Sequence, residues 1–227
     1  MARILITSGP TRQYLDPVRY LTNGSSGRMG AALADAALRL GHQVVLVSGP
    51  VQVTYPDACE RINVVTTDEM LAACQTAFPH CEGVIGAAAP CDYRPLRIEE
   101  HKISKTGAPL MLQLVETTDI VATLGASKTE RQWSVGFALE SDDQRFRALT
   151  KLLKKSCDLM VVNGPQAMNS EFNAVEILDR SGQVLRQLQG PKEQVAQGIL
   201  AEIQARLIRI RPAGTTRGSN VPESRTE

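Results

Sequence analysis

The 227 residues carry 25 Lys and Arg against 24 Asp and Glu, a formal charge of +1, so no global field draws the chain to nucleic acid or to an acidic membrane surface. Five scattered cysteines without a C-x-x-C pair, no signal peptide and no apolar run near the roughly 20 residues that span a bilayer predict a cytoplasmic protein with reduced thiols and no membrane segment. His42, His80 and His101 have no partner at metal-ligand spacing, which argues against zinc.

In chain order, residues 3–7 form an apolar first strand, and residues 21–30 form a polar loop that leads into a helix over 27–40. Gly24, Gly27 and Gly30 free the loop backbone to approach a ligand. The helix behind them aims unpaired N–H groups and a positive dipole end at the loop, so the stretch reads either as an anion cradle or as a simple turn. Strands follow at 43–47 and 61–65, a helix at 68–77 and a strand at 83–87.

Residues 89–109 are rich in Pro, Gly and charge and too long for an ordinary connection, which predicts a lid. A helix at 119–126, a strand at 133–137, a helix at 144–155 and a strand at 158–162 continue the alternation. Residues 175–178 and 183–188, joined at Arg180-Ser181-Gly182, read as an appended hairpin, and Pro191 suits the first turn of a helix over 192–207. Residues 211–227 have tail composition, leaving 1–210 as one domain. Such strand–helix alternation predicts an α/β fold, doubly wound and Rossmann-like around a mainly parallel sheet, with ligands beyond the carboxyl ends of the strands.

Two common nucleotide signatures are absent. The first strand runs into Ser8-Gly9-Pro10 rather than G-x-G-x-x-G, and the second ends in Ser48-Gly49-Pro50 without the acid that binds ribose hydroxyls. No G-K-[ST] follows the glycines, so the loop is not a P-loop. At the end of the fourth strand, Gly86-Ala87-Ala88 would let a flat ligand lie on the backbone, with Asp92 as an acceptor or metal contact; the alternative is a packed strand end with Asp92 as a turn cap. Lys102 and Lys105 lie in the lid, either solvated or delivering charge on closure. Lys151, Lys154 and Lys155 share a helix face, which reads as solvated surface or as a contact for an anion. No nucleophilic triad or paired-carboxylate signature occurs, so the inventory suits electrostatic catalysis on phosphate-rich substrates.

Taken together, Thr7-Ser8-Gly9-Pro10-Thr11-Arg12, Asp16-Pro17-Val18-Arg19-Tyr20, Asn23-Gly24-Ser25-Ser26-Gly27-Arg28-Met29-Gly30, Gly86-Ala87-Ala88, Asp92-Tyr93-Arg94, Lys102-Ile103, Gly136-Phe137-Ala138-Leu139-Glu140 and Asn169-Ser170-Glu171-Phe172-Asn173 resemble the phosphopantothenate–cysteine ligases of coenzyme A biosynthesis. The resemblance implies that CTP, or ATP as in the eukaryotic branch, activates the carboxylate of 4′-phosphopantothenate with Mg²⁺ and loss of pyrophosphate. L-cysteine then displaces the nucleotide from the acyl-nucleotide, acyl-CMP when CTP is used. It implies catalytic roles for Asn23 and Lys102, and a substrate loop of Asn23, Ser25, Ser26, Gly27 and Arg28. It also implies a nucleotide site of Gly86, Ala87, Ala88, Asp92, Lys102, Thr118, Asp119, Ile120, Val121, Phe137, Lys151 and Lys155. Thr118, Pro90-Cys91 and Ser104 depart from the family pattern. No residue is assigned to the metal. Relatives of this kind are homodimers, with the 175–188 hairpin as a candidate contact. The flavin-dependent decarboxylase often fused to them has no counterpart in this sequence, so the expectations are no flavin and a separate decarboxylase partner. The competing readings are an NAD-type oxidoreductase and a non-catalytic nucleotide sensor.

Overall fold

A computed structural model describes residues 1–139, 143–163 and 172–208. The expected tail at 211–227 lies outside the described residues, as do Glu140 and Asn169-Ser170-Glu171. In chain order the elements are β1 (Arg3–Ser8), β2 (Arg12–Tyr14), β3 (Tyr20–Thr22), α1 (Arg28–Arg39), β4 (Gln43–Ser48), β5 (Glu60–Asn63), α2 (Thr67–Ala77), β6 (Gly83–Gly86), β7 (Tyr93–Pro95) and β8 (Leu114–Glu116). They continue with α3 (Ile120–Ser127), β9 (Trp133–Leu139), α4 (Gln144–Lys154), β10 (Leu159–Asn163), β11 (Phe172–Asp179), β12 (Val184–Pro191) and α5 (Lys192–Arg206).

One sheet of eight strands has the order β12-β11-β10-β9-β6-β1-β4-β5. Six of its strands, β10 through to the edge strand β5 in that order, pair in parallel, and β11 and β12 add an antiparallel hairpin at the other edge. Both faces are covered, which is why the strands read as continuous apolar runs instead of alternating ones. Ile4, Ile6 and Leu46 pack beneath α1 and α5, against Leu33, Ala36 and Ile199. Leu5, Val45 and Val47 point the other way, to Met70 of α2 and Leu124 of α3. Leu152 of α4 covers Met160 and Val162 of β10.

The chain goes from β1 to β4 and β5 on one side, then returns to β6 on the other. The winding therefore reverses between β1 and β6, and the crevice past their carboxyl ends is the binding position of such sheets. Two details differ from the sequence reading. The appended hairpin is longer than expected, because pairing continues out to Phe172 opposite Pro191. Pro191 thus closes β12 and caps α5 from outside, one residue before the first turn. The sequence reading also contained no β2–β3 or β7–β8 hairpins; these strands are three residues long, β3, β7 and β8 are mostly exposed, and β2 buries the polar Gln13, so they carry no apolar pattern.

Candidate active site

The crevice is built by zipping the ends of β1 and β6 together. The Ala88 N–H donates to Thr7 Oγ1 (3.2 Å), the Ala89 N–H donates to the Gly9 carbonyl (2.9 Å), and Pro10 and Ala89 bridge in parallel. Gly49 lies so close to Pro10 that a Cβ there would stand 1.7 Å from the Pro10 carbonyl oxygen. Below this rim is a buried polar network. Thr11 Oγ1 lies 2.8 Å from Thr67 Oγ1 and accepts from the Cys91 N–H (2.9 Å), and Gln13 Nε2 donates to Thr67 Oγ1 (2.8 Å). The Cys91 carbonyl accepts from Thr117 Oγ1 at 2.6 Å. These bonds tie β2, the start of α2, the turn after β6 and the segment before α3 into one floor. Burial pushes the Cys91 thiol pKa up, against the hydrogen bond that links it to Thr11.

Asn23 hangs over this floor. Its Nδ2 donates to the carbonyls of Pro90 (2.8 Å) and Ala89 (3.2 Å). Both neighbours are acceptors, so only the amide nitrogen fits there and Oδ1 must face away from them. The side chain is exposed, and its outward atom can accept from a hydroxyl or an amine.

Two of the three glycines of this loop, Gly27 and Gly30, have reasons other than ligand approach. Gly27 is the N-cap of α1 with φ 76°, a left-handed conformation that a side chain resists. Gly30 lies against β1, where a Cβ would meet Ser8 Oγ at 2.0 Å. Ser8 Oγ in turn donates to the Gly27 carbonyl (3.2 Å) and accepts from the Tyr55 hydroxyl (2.9 Å), so the helix start is pinned to the strand end. No side chain caps α1 and its first turn holds no acid, so the helix end is open to an anion beside half-buried Ser25 and Ser26 and exposed Arg28.

The residues that the resemblance assigns to the nucleotide fall on both sides of the sheet edge. Gly86 faces α3, where a Cβ would meet Val121 Cγ2 at 2.4 Å. Ala88 and Ile120 belong to that side, while Ala87 and half-buried Phe137 pack on the α1 side. Asp119 caps α3 by accepting from the Ala122 N–H (3.0 Å), and its other oxygen meets Lys155 Nζ at 3.0 Å. The Thr117 N–H donates to the Asp92 carbonyl (2.9 Å), which brings exposed Thr118 and Asp92 to the same rim. Lys151 is exposed one turn before Lys155 on α4. Lys102 is exposed on the β7–β8 connection, and the residue after it is fastened to Asp16. The sequence reading gave Asp16 and the Thr11–Thr67 floor no role; an Asp-Pro turn signals a side-chain cap, but not the distant segment it also holds.

A family model described as the DNA/pantothenate metabolism flavoprotein C-terminal domain matches residues 1–207. The coenzyme A biosynthesis bifunctional protein CoaBC of Vibrio vulnificus (strain YJ016) is 42% identical over 207 residues, covering 88% of this chain and 51% of that protein. The CoaBC of Escherichia coli (strain K12) is 40% identical over 210 residues, covering 89% and 52%. A crystal structure of the C-terminal domain of CoaBC superposes with a TM-score of 0.75 at 35% identity, covering 89% of this chain and 94% of that one. The chain spans about half the length of the curated relatives it matches.

Proposed function

The chain belongs to the family of DNA/pantothenate metabolism flavoprotein C-terminal domains, and on that premise we propose that it joins 4′-phosphopantothenate to L-cysteine in coenzyme A biosynthesis. A carboxylate is inert to an amine at neutral pH because oxide cannot leave, whereas a nucleotide phosphate can. CTP, with ATP as the alternative, supplies that leaving group: the carboxylate attacks the α-phosphate, pyrophosphate departs, and the cysteine amine displaces CMP from the acyl-CMP. The protein need only align the reactants and neutralise phosphate charge.

The observation that carries this reading is the Asn23 amide, anchored on the two carbonyls after β6 at the point where the sheet reverses. It leaves an acceptor where an amine nucleophile and an acyl group would meet. Ser25, Ser26, Gly27 and Arg28, with the open α1 terminus, take the anionic end of phosphopantothenate. Gly86, Ala87, Ala88, Asp92, Phe137 and the stretch from Thr118 to Val121 line the nucleotide, with Lys151 and Lys155 as its cations and Lys102 closing on its phosphates. Among the described residues no three His, Cys, Asp or Glu side chains gather to cage a metal. Mg²⁺ is accordingly read as arriving on the nucleotide phosphates, its usual seat, where it offsets their charge.

Residues 1–210 make the ligase domain, which works in the cytoplasm as a homodimer; a flavin-dependent decarboxylase acting on the amide product is the pathway partner. No helix among the described residues is long and apolar enough to cross a membrane. An NAD-type oxidoreductase is disfavoured because β4 ends without an acid and Ser48 Oγ there is occupied, lying 2.8 Å from both the Gly49 carbonyl and the Tyr55 hydroxyl. Mass spectrometry tests the two steps. With cysteine withheld, the acyl-CMP should accumulate, and adding cysteine should convert it to the amide. Amide formation without a nucleotide adduct would overturn the activation step.

A further inference from the structure

Asp16 lies in the turn between β2 and β3, and its side chain is fully buried. A carboxylate taken from water requires partners for its oxygens, and here every one can be named. Oδ1 accepts from the N–H groups of Val18 and Arg19, both at 2.8 Å, which is the local cap expected of an Asp-Pro turn. Oδ2 reaches beyond the turn. It accepts from the Ile103 N–H at 3.1 Å and meets Arg19 Nε at 3.3 Å. The Arg19 guanidinium then donates to the Ile103 carbonyl, so both backbone polar groups of Ile103 are held by one ion pair. The Leu15 carbonyl accepts from the Glu99 N–H (2.9 Å) and adds a third tie to the same segment.

Within the turn Oδ2 meets only the Arg19 guanidinium, and no backbone N–H of the turn uses it. Its backbone partner is 87 residues away in sequence, on the long connection between β7 and β8, whose residues are mostly exposed. The residue directly before Ile103 is Lys102. We propose that Asp16 is a positioning residue: it clamps the backbone of Ile103 so that Lys102 is presented to the crevice in one register. The significance of Lys102 rests on the ligase reading above; the clamp itself does not. Burial raises the Asp16 pKa, but the three backbone donors and Arg19 outweigh it and hold the carboxyl below its ordinary value. The clamp is therefore charged at neutral pH.

The test is a double-mutant cycle with a readout independent of activity. Asp16→Asn keeps the size of the side chain and places an N–H donor against a backbone donor. If the clamp positions Lys102, kcat for pyrophosphate release falls about 10- to 100-fold, the scale of a misplaced reacting group. The same change made in Lys102→Gln causes no further loss. Trypsin cleavage after Lys102 and Lys105 in the full chain also speeds up several-fold. An equal loss in both Lys102 backgrounds would reduce Asp16 to a structural residue, and unchanged cleavage would overturn the clamp. Should Asp16→Asn not fold, Ile103→Pro deletes the same hydrogen bond from the other side and is carried through the same cycle, with cleavage read after Lys105 because trypsin does not cut before proline. If wild type releases no pyrophosphate, the ligase reading fails, and cleavage alone still decides the clamp.

Discussion

An amide side chain has two unlike ends, and at Asn23 the fold has taken one of them. With Nδ2 held by Pro90 and Ala89, Asn23→Asp sets a carboxylate oxygen against two carbonyl oxygens, breaking the anchor and adding repulsion. Turnover should fall by roughly 10²-fold or more, the range for losing one transition-state polar contact, with little change in melting temperature because the residue is exposed. Wild-type turnover would remove Asn23 from the site. Gly30 makes the opposite kind of prediction. Alanine is the better helix former by about 1 kcal/mol, yet its Cβ would lie 2.4 Å from Ser8 Cβ. Overpacking of that kind costs roughly 1–3 kcal/mol, so Gly30→Ala should unfold at lower urea, and a rise in stability would show that α1 can shift freely. Glycine spacing thus marks the correct loop in the sequence, but Gly27 and Gly30 serve backbone conformation and helix–strand contact. Asn23 was reached through family resemblance alone, since an exposed Asn has no signature in spacing or polarity.

Between elements, His42 joins three pieces. Its Nδ1 accepts from the Ala2 N–H (3.2 Å) at the foot of β1, and its Nε2 pairs with Gln204 Oε1 (3.1 Å) on α5. This needs the neutral ring, and burial holds its pKa below the ordinary 6.5 despite the opposing bond to Gln204. The unfolded chain therefore binds the proton more readily. The contribution of His42 to stability is complete above about pH 6.5 and is lost as pH falls through the lower folded value. Between about pH 7.5 and 5.5, melting temperature should drop more for wild type than for His42→Gln, and parallel curves would contradict this. The long apolar strands and amphipathic helices were legible because each covers a face of one core. The β2–β3 and β7–β8 hairpins were not, because Tyr20–Thr22 and Leu114–Glu116 face mostly solvent. The clamp between them depends on a contact across the fold, which no local pattern encodes.

At the scale of the molecule, a near-neutral chain gathers its candidate site residues at one crevice. The fold brings Asn23, Gly86 and Asp119 to that crevice from separate parts of the sequence; the strand–helix alternation implied a site beyond the strand ends, but not these residues. Several exposed apolar side chains lie on the β7–β8 arm. Ile98 is 63% exposed and Met111 88%, with Leu96, Leu110 and Leu112 beside them on the β7–β8 arm. These side chains make the arm a second candidate contact for the proposed homodimer, beside the β11–β12 hairpin, where Phe172 is 64% exposed. Sedimentation should give twice the chain mass, and Ile98→Asp with Met111→Asp should halve it; an unchanged dimer would move the interface off the arm. The most direct test of the whole account is pyrophosphate release with CTP and ATP compared side by side, with 4′-phosphopantothenate, L-cysteine and Mg²⁺ present. The account predicts release that requires phosphopantothenate and is faster with CTP. No release with either nucleotide would contradict it.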